Sequence, residues 1–166
     1  MGPSVVTMEQ DQMGRVITEV LVENLKDLWD AERNIRNPDE VRRIVVSDAL
    51  VDTGATTLAL PSKLIGQLGL TKVREQNAVS VRGRGLIRIF EAVRLTILGR
   101  NCVVEVMEVP DDVPTLIGQI PLEMLDLVID LQGRKLIGNP AHDGEHVLEL
   151  LMAESEVANG DGTQEF

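Results

Sequence analysis

The chain has 166 residues, a formal net charge of −11, and is 43% apolar but only 2% aromatic. Its length suits one domain with a core of its own, and that core must be aliphatic. So acidic a chain argues against nucleic acid or an anionic membrane as partner, no apolar run reaches spanning length, and the single Cys102 excludes an intrachain disulfide and fits a reducing, cytoplasmic setting.

Residues 1–13 are polar and mixed and read as a flexible leader. They lack the basic and apolar regions of a signal peptide, and Val6 stands where myristoylation wants Ser or Thr. Arg15 to Val22 alternates and predicts a strand. Asn24 is placed to cap a short helix carrying Leu25, Leu28 and Trp29 on one face, and Asn37-Pro38 breaks the chain. Val41 to Val51 reads as a strand running into Asp52-Thr53-Gly54. Pro61 to Leu68 predicts a helix ended by Gly69.

Two strands, 73–81 and 86–98, flank Arg82-Gly83-Arg84-Gly85. Gly99-Arg100-Asn101 reads as the turn into a strand over 102–109, and residues 110–114 read as a loop. Leu116-Ile117-Gly118 precedes a helical stretch over 122–127 and a hairpin of 128–131 with 135–137. Beyond Pro140 a short helix over 147–152 is expected, then an acidic tail. No Lys or Arg follows Lys135, and seven carboxylates from Asp143 to Glu165 leave −4 for the rest of the chain. The division is a leader (1–13), one all-β domain (14–140) and a partly disordered tail (141–166).

Asp52 is the chemically informative residue. An apolar strand delivers one carboxylate onto a Thr-Gly turn. Two such carboxylates in contact cannot both ionise cheaply, so a pair shares one proton. The charged member can take a proton from water while its partner donates one to a peptide carbonyl. The chain supplies one such motif, so a two-fold axis must supply the second. Alone, Asp-Thr-Gly is also a good generic turn.

The surrounding segments carry more. Ala49-Leu50-Val51-Asp52-Thr53-Gly54-Ala55, Val93 to Arg100, Val106 to Pro110, and Leu116-Ile117-Gly118 follow one another in order. From about Arg15 to about Pro140 the chain resembles the retropepsin-like aspartic peptidases, the retroviral protease family and its short bacterial and cellular relatives. The resemblance implies a closed, barrel-like β-domain with one or two short helices, acting as a symmetric homodimer. It implies that Asp52 is catalytic, that Thr53 hydrogen-bonds across the dimer axis, and that Gly54 accepts substrate backbone. Leu116, Ile117 and Gly118 would support the turn. A flap through 79–89, with its tip at 82–85, would bring Val81, Arg82, Gly83, Arg84 and Gly85 over bound peptide. Leu50, Ala55, Thr56, Ala59, Pro114 and Leu116 match pocket-lining positions, which implies cleavage between hydrophobic residues of an extended substrate.

Three departures stand out. Gln119 and Thr56 occupy the places of a supporting Arg–Asp ion pair, so both partners are missing together. The segment from Leu25 to Glu40 is an insertion relative to the compact retroviral form. The ending reads as a hairpin of the chain's own, which modifies the intermolecular C-terminal sheet of the retroviral form.

Other features have plainer readings. Arg82-Gly83-Arg84-Gly85 without neighbouring aromatics is a poor RNA contact. His142 and His146, with Asp143 and Glu145 beside them, form no convincing metal site, because Gly144 interrupts the spacing. Cys102 reads as a buried thiol, and Trp29 as packing or an interface residue. The expectation is an aspartic endopeptidase that needs no metal or organic cofactor, acting on peptide or protein substrates. The rivals are a non-catalytic dimeric module that binds peptides or a partner, and an assembly protein using the acidic tail as an arm.

Overall fold

The computed structural model describes residues 15–148; the expected leader and all of the tail beyond Leu148 lie outside the described residues. Among the described residues nine strands form: β1 (Ile17–Asn24), β2 (Arg43–Val51), β3 (Leu58–Pro61), β4 (Lys72–Ser80), β5 (Gly83–Ile97), β6 (Arg100–Val109), β7 (Leu116–Ile117), β8 (Leu127–Asp130) and β9 (Lys135–Gly138). Three short helices accompany them: α1 (Leu25–Glu32), α2 (Ser62–Leu68) and α3 (Gln119–Met124), with single 3-10 turns at Pro38–Glu40 and Pro140–His142. The described residues are mostly β, and the three α-helices exceed the one or two that the resemblance implied.

Six strands close a ring-like sheet. β1 pairs antiparallel with both β2 and β5. β2 runs parallel to β7, β7 antiparallel to β3, β3 parallel to β6, and β6 antiparallel to β5. β4 hangs on the outside of β5, and β8–β9 is a separate two-stranded sheet. Alternation fills the ring: Cys102, Val104 and Val106 of β6 face inward while Asn101, Val103 and Glu105 face out. Val20, Val22, Leu58, Leu60, Val93, Leu95, Ile97 and Ile117 complete an aliphatic core.

A bulge decides what leaves the ring. Phe90 pairs with Val106, but the next partners are Val93 and Val104, so β5 carries one extra residue. The Glu91 carboxylate there accepts the Thr71 N–H at 2.7 Å, and the Glu91 N–H donates to the Thr71 carbonyl at 2.9 Å. Beyond the bulge the outer half of β5 pairs with β4 as a hairpin that is exposed along most of its length. Its turn is Val81-Arg82, so Gly83, Arg84 and Gly85 belong to β5 rather than to the tip. The β5–β6 turn likewise sits one step earlier than expected, at Leu98-Gly99, both with positive φ as two-residue hairpins require. The last helix runs over 119–124 rather than 122–127, because residues 118–120 donate to the carbonyls of the turn at Asp52. Val147 and Leu148, expected to begin a helix, are not helical; the rest of that stretch lies outside the described residues.

The Leu25–Glu40 insertion is fastened by charge rather than by apolar packing. Asn24 caps α1 by accepting the Asp27 N–H at 3.0 Å, and its amide donates to the Leu68 carbonyl at 2.8 Å. Asp27 is fully buried and accepts from Arg42 Nε at 2.8 Å, Arg42 Nη2 at 2.9 Å and the Arg42 backbone N–H at 3.0 Å. Arg36 lies 3.4 Å from the same carboxylate. Glu23, also buried, binds Arg94 at 2.8 Å and Arg43 at 3.2 Å. The face expected to pack is therefore different: Leu25 and Asp27 point in, while Trp29 is 49% exposed.

The hydrogen bonds from Arg42 hold the Asp27 carboxyl below the ordinary carboxylate range, against the opposing effect of burial. A depressed native pKa adds stability above the unfolded value near 4, and that stability is lost as pH falls through the native one. Asp27→Ala should cost about 2–3 kcal/mol in urea unfolding at pH 7, since it leaves Arg42 and Arg36 unpaired. The cost should shrink as pH falls below about 4; an equal cost at pH 3 and pH 7 would contradict the assignment.

Candidate active site

Asp52 sits where β2 ends, at the mouth of a crossed-strand arrangement. β7 lies between β2 and β3, and residues 52–57 join the two flanking strands around it. Leu50 pairs with Leu116 and Val51 with Ile117 on one side; Leu58 pairs with Ile117 and Ala59 with Leu116 on the other. The Leu50 N–H donates to the Thr115 carbonyl at 2.8 Å, and the Asp52 N–H to the Ile117 carbonyl at 3.0 Å. Both ends of the turn are thus held by one two-residue strand.

The turn in turn holds α3. The Gly118, Gln119 and Ile120 N–H groups donate to the carbonyls of Thr57, Ala55 and Thr56 at 3.0, 2.9 and 2.9 Å. These donors would otherwise be orphaned at a helix start. Gly118 is obligatory here, because a Cβ would fall 2.5 Å from the Thr57 carbonyl oxygen and 2.6 Å from that of Ala55. Within the turn, Ala55 N–H closes on the Asp52 carbonyl at 3.0 Å, and Gly54 N–H donates to Asp52 Oδ1 at 2.9 Å. One carboxylate oxygen is thereby oriented by backbone, and the half-buried carboxylate keeps Oδ2 for other chemistry.

No family model matches the chain, and no curated protein matches it.

The expected site residues fall into four groups. Leu50, Asp52, Thr53, Gly54, Ala55, Thr56, Leu116, Ile117 and Gly118 come together in the lock just described. Ala59 is fully buried in β3, so it supports the wall behind the turn instead of offering surface. Val81, Arg82, Gly83, Arg84 and Gly85 are exposed on the projecting hairpin. Pro114 is exposed in the loop before β7, beside a second cleft of about 430 Å³ that also takes in Asp48, Lys63 and Asp112. Thr56 and Gln119, where an ion pair was missing, are instead joined to the lock through backbone, and Gln119 Nε2 donates to Glu123 Oε1 at 2.9 Å.

Thr53 opens onto a cleft of about 610 Å³ lined by Gln119, Leu122, Glu123, Asp126, Val128 and Leu148, among others. Asp126, which the sequence reading missed, organises its far wall. Its carboxylate accepts from His142 Nδ1 at 2.7 Å, Asn139 Nδ2 at 3.1 Å and the Val147 N–H at 3.1 Å. Burial alone would push this carboxyl up; the three hydrogen bonds outweigh it and hold it down at about 2. Arg100 reinforces the wall by donating to the Leu125 and Asp126 carbonyls at 3.0 and 2.9 Å, and to the Gly144 carbonyl. His146 Nε2 lies 3.0 Å from the Met124 carbonyl. Among the described residues no three His, Cys, Asp or Glu side chains converge as a metal site would require. Burial pushes the Cys102 thiol up to about 11.

Two outcomes follow. Gly118→Ala should cost about 3 kcal/mol in denaturant unfolding, because backbone rather than a flexible side chain must move; a cost under about 0.5 kcal/mol would show the lock to be loose. Cys102 should resist a thiol-reactive dye at pH 8 in native protein and react at once in denaturant; rapid native labelling would place the thiol elsewhere.

Proposed function

We propose that the chain is an aspartic endopeptidase of retropepsin-like fold, active as a symmetric homodimer with one Asp52 from each subunit. The observation that carries this reading is the lock itself. A carboxylate on an Asp-Thr-Gly turn is oriented by Gly54 N–H and braced by the Leu116-Ile117-Gly118 strand. Such bracing is what a general acid–base pair needs, since small displacements are costly in rate.

In this reading a water lies between the two carboxylates. The ionised one accepts its proton as the oxygen attacks the peptide carbonyl, and the protonated one donates to the carbonyl oxygen. Proton return to the leaving nitrogen completes hydrolysis, with no covalent intermediate. The substrate lies extended along the turn, where Gly54 leaves its backbone room.

Two further features support the reading. Thr53 is exposed, and so are the apolar side chains of Ile120 (42%) and Met124 (40%) on α3, which the turn holds; in this reading they meet the second subunit. The hairpin of β4 and β5 is rooted beside the turn: Thr57 Oγ1 donates to the Glu105 carbonyl at 3.0 Å, and Arg74 binds the Glu105 carboxylate at 2.7 and 2.8 Å. From that root to Val81 the strand spans about 20 Å, enough to close over a bound peptide as a flap.

Purified protein should cleave a mixed peptide library between pH 4 and 8, with preference for hydrophobic residues at the cut. Asp52→Asn should lower the rate at least about 1,000-fold without dissociating the dimer, and pepstatin should inhibit. Undiminished cleavage by Asp52→Asn would overturn the assignment. Peptide binding without cleavage by dimeric wild-type protein would favour the non-catalytic module.

A further inference from the structure

We propose that Arg82 in the hairpin turn and Arg84 beside it in β5 select peptides with carboxylates flanking an apolar centre. This deepens the peptidase reading and rests on it for the placement of the peptide.

The hairpin is charged against the trend of the molecule. Between Gln76 and Phe90 there are three arginines and no Asp or Glu, in a chain of net charge −11. The cations near the hairpin root are already neutralised: Lys72 binds Glu75 at 2.9 Å, Arg74 binds Glu105, and Arg88 binds Glu108. Arg82 and Arg84 take part in no ion pair among the described residues, and both are exposed. The end of the hairpin therefore carries two positive charges that no ion pair among the described residues offsets.

The register says which part of a ligand these charges meet. Ser80 pairs with Gly83, Ala78 with Gly85, Gln76 with Ile87 and Arg74 with Ile89. Phe90 pairs with Val106 and packs against the core, whereas Ile89 pairs with Met107 and Arg74 binds Glu105, so this set lies on the face turned away from the core. Near the turn it is made of small side chains. Arg84 pairs with Val79 and shares the face of Phe90, and Arg82 lies in the turn. Both guanidinium groups thus sit at the far end of the hairpin, where, in the flap reading, they reach side chains two or more positions from the cut. The centre of the peptide remains governed by apolar contacts.

Rim charges at high dielectric act modestly and are screened by salt. Two of them should favour a Glu-flanked peptide over its Lys-flanked counterpart by about tenfold in kcat/KM at low salt, and by less at 0.5 M salt.

The test uses three peptides with one apolar centre and flanks of Glu, Gln or Lys. Cleavage is measured with the wild-type chain and with Arg82→Glu/Arg84→Glu. Binding is measured by fluorescence anisotropy on Asp52→Asn protein with and without the same pair of changes. The expected result is a Glu-over-Lys preference that reverses in the charge-reversed protein, in both readouts. No Glu-over-Lys preference, or one unmoved by the double change, would overturn the inference. If no peptide is cut but Asp52→Asn protein binds the Glu-flanked peptide through the two arginines, selection stands and the peptidase reading falls. If no peptide binds, selection falls with it.

Discussion

The structure depends on a reciprocal set of main-chain hydrogen bonds between residues 50–57 and 115–120. The strand Leu116–Ile117 holds both flanks of the Asp52 turn, and the turn's carbonyls receive the first N–H groups of α3. Neither segment has enough residues to be stable alone. A two-residue strand and a six-residue helix are far below the lengths at which local structure sustains itself. Each is ordered by the other, so Asp52 is positioned by the whole ring rather than by its own turn. The same arrangement explains why Gly118 admits no side chain: three carbonyls converge on the helix start, and there is no space left beside them.

Around this lock the protein separates rigid from projecting parts by local irregularity. The bulge after Phe90 turns the outer half of β5 away from β6 and hands it to β4. The bound Glu91 carboxylate fixes that departure point at Thr71. Two buried carboxylates, Glu23 and Asp27, do the fastening nearby, each shared between two arginines: Glu23 with Arg94 just beyond the bulge and Arg43 of β2, and Asp27 with Arg42 and Arg36. Buried charges of this kind are expensive to desolvate and costly to unpair; Asp27 ties the insertion to Arg42, and Glu23 ties β1 to β2 and β5.

Much of this was legible in the sequence, for a physical reason. Alternation in 15–22, the cap at Asn24, and the sequence from Ala49 to Gly54 are local signals, and the structure follows them. What was not legible depends on distant partners. Asp27 looks like a solvated helix residue until Arg42 and Arg36 fold over it, and Asp126 gains its role only when Asn139, His142 and Val147 return to it. The hairpin tip was misplaced because Gly83 and Gly85 read as turn residues, whereas their pairing with Ser80 and Ala78 keeps them in the strand. The spacing of Leu116-Ile117-Gly118 after Asp52 could be noted in the sequence; that the two segments exchange hydrogen bonds could not.

The central claim is that one chain holds half of an active site. The most direct measurement mixes wild-type protein with Asp52→Asn at constant total concentration, after subunits have exchanged, and follows peptide hydrolysis. If each site needs two Asp52 carboxylates, activity falls as the square of the wild-type fraction, to about one quarter in an equal mixture. A linear fall, to about one half, would show that each subunit works alone and would contradict the account.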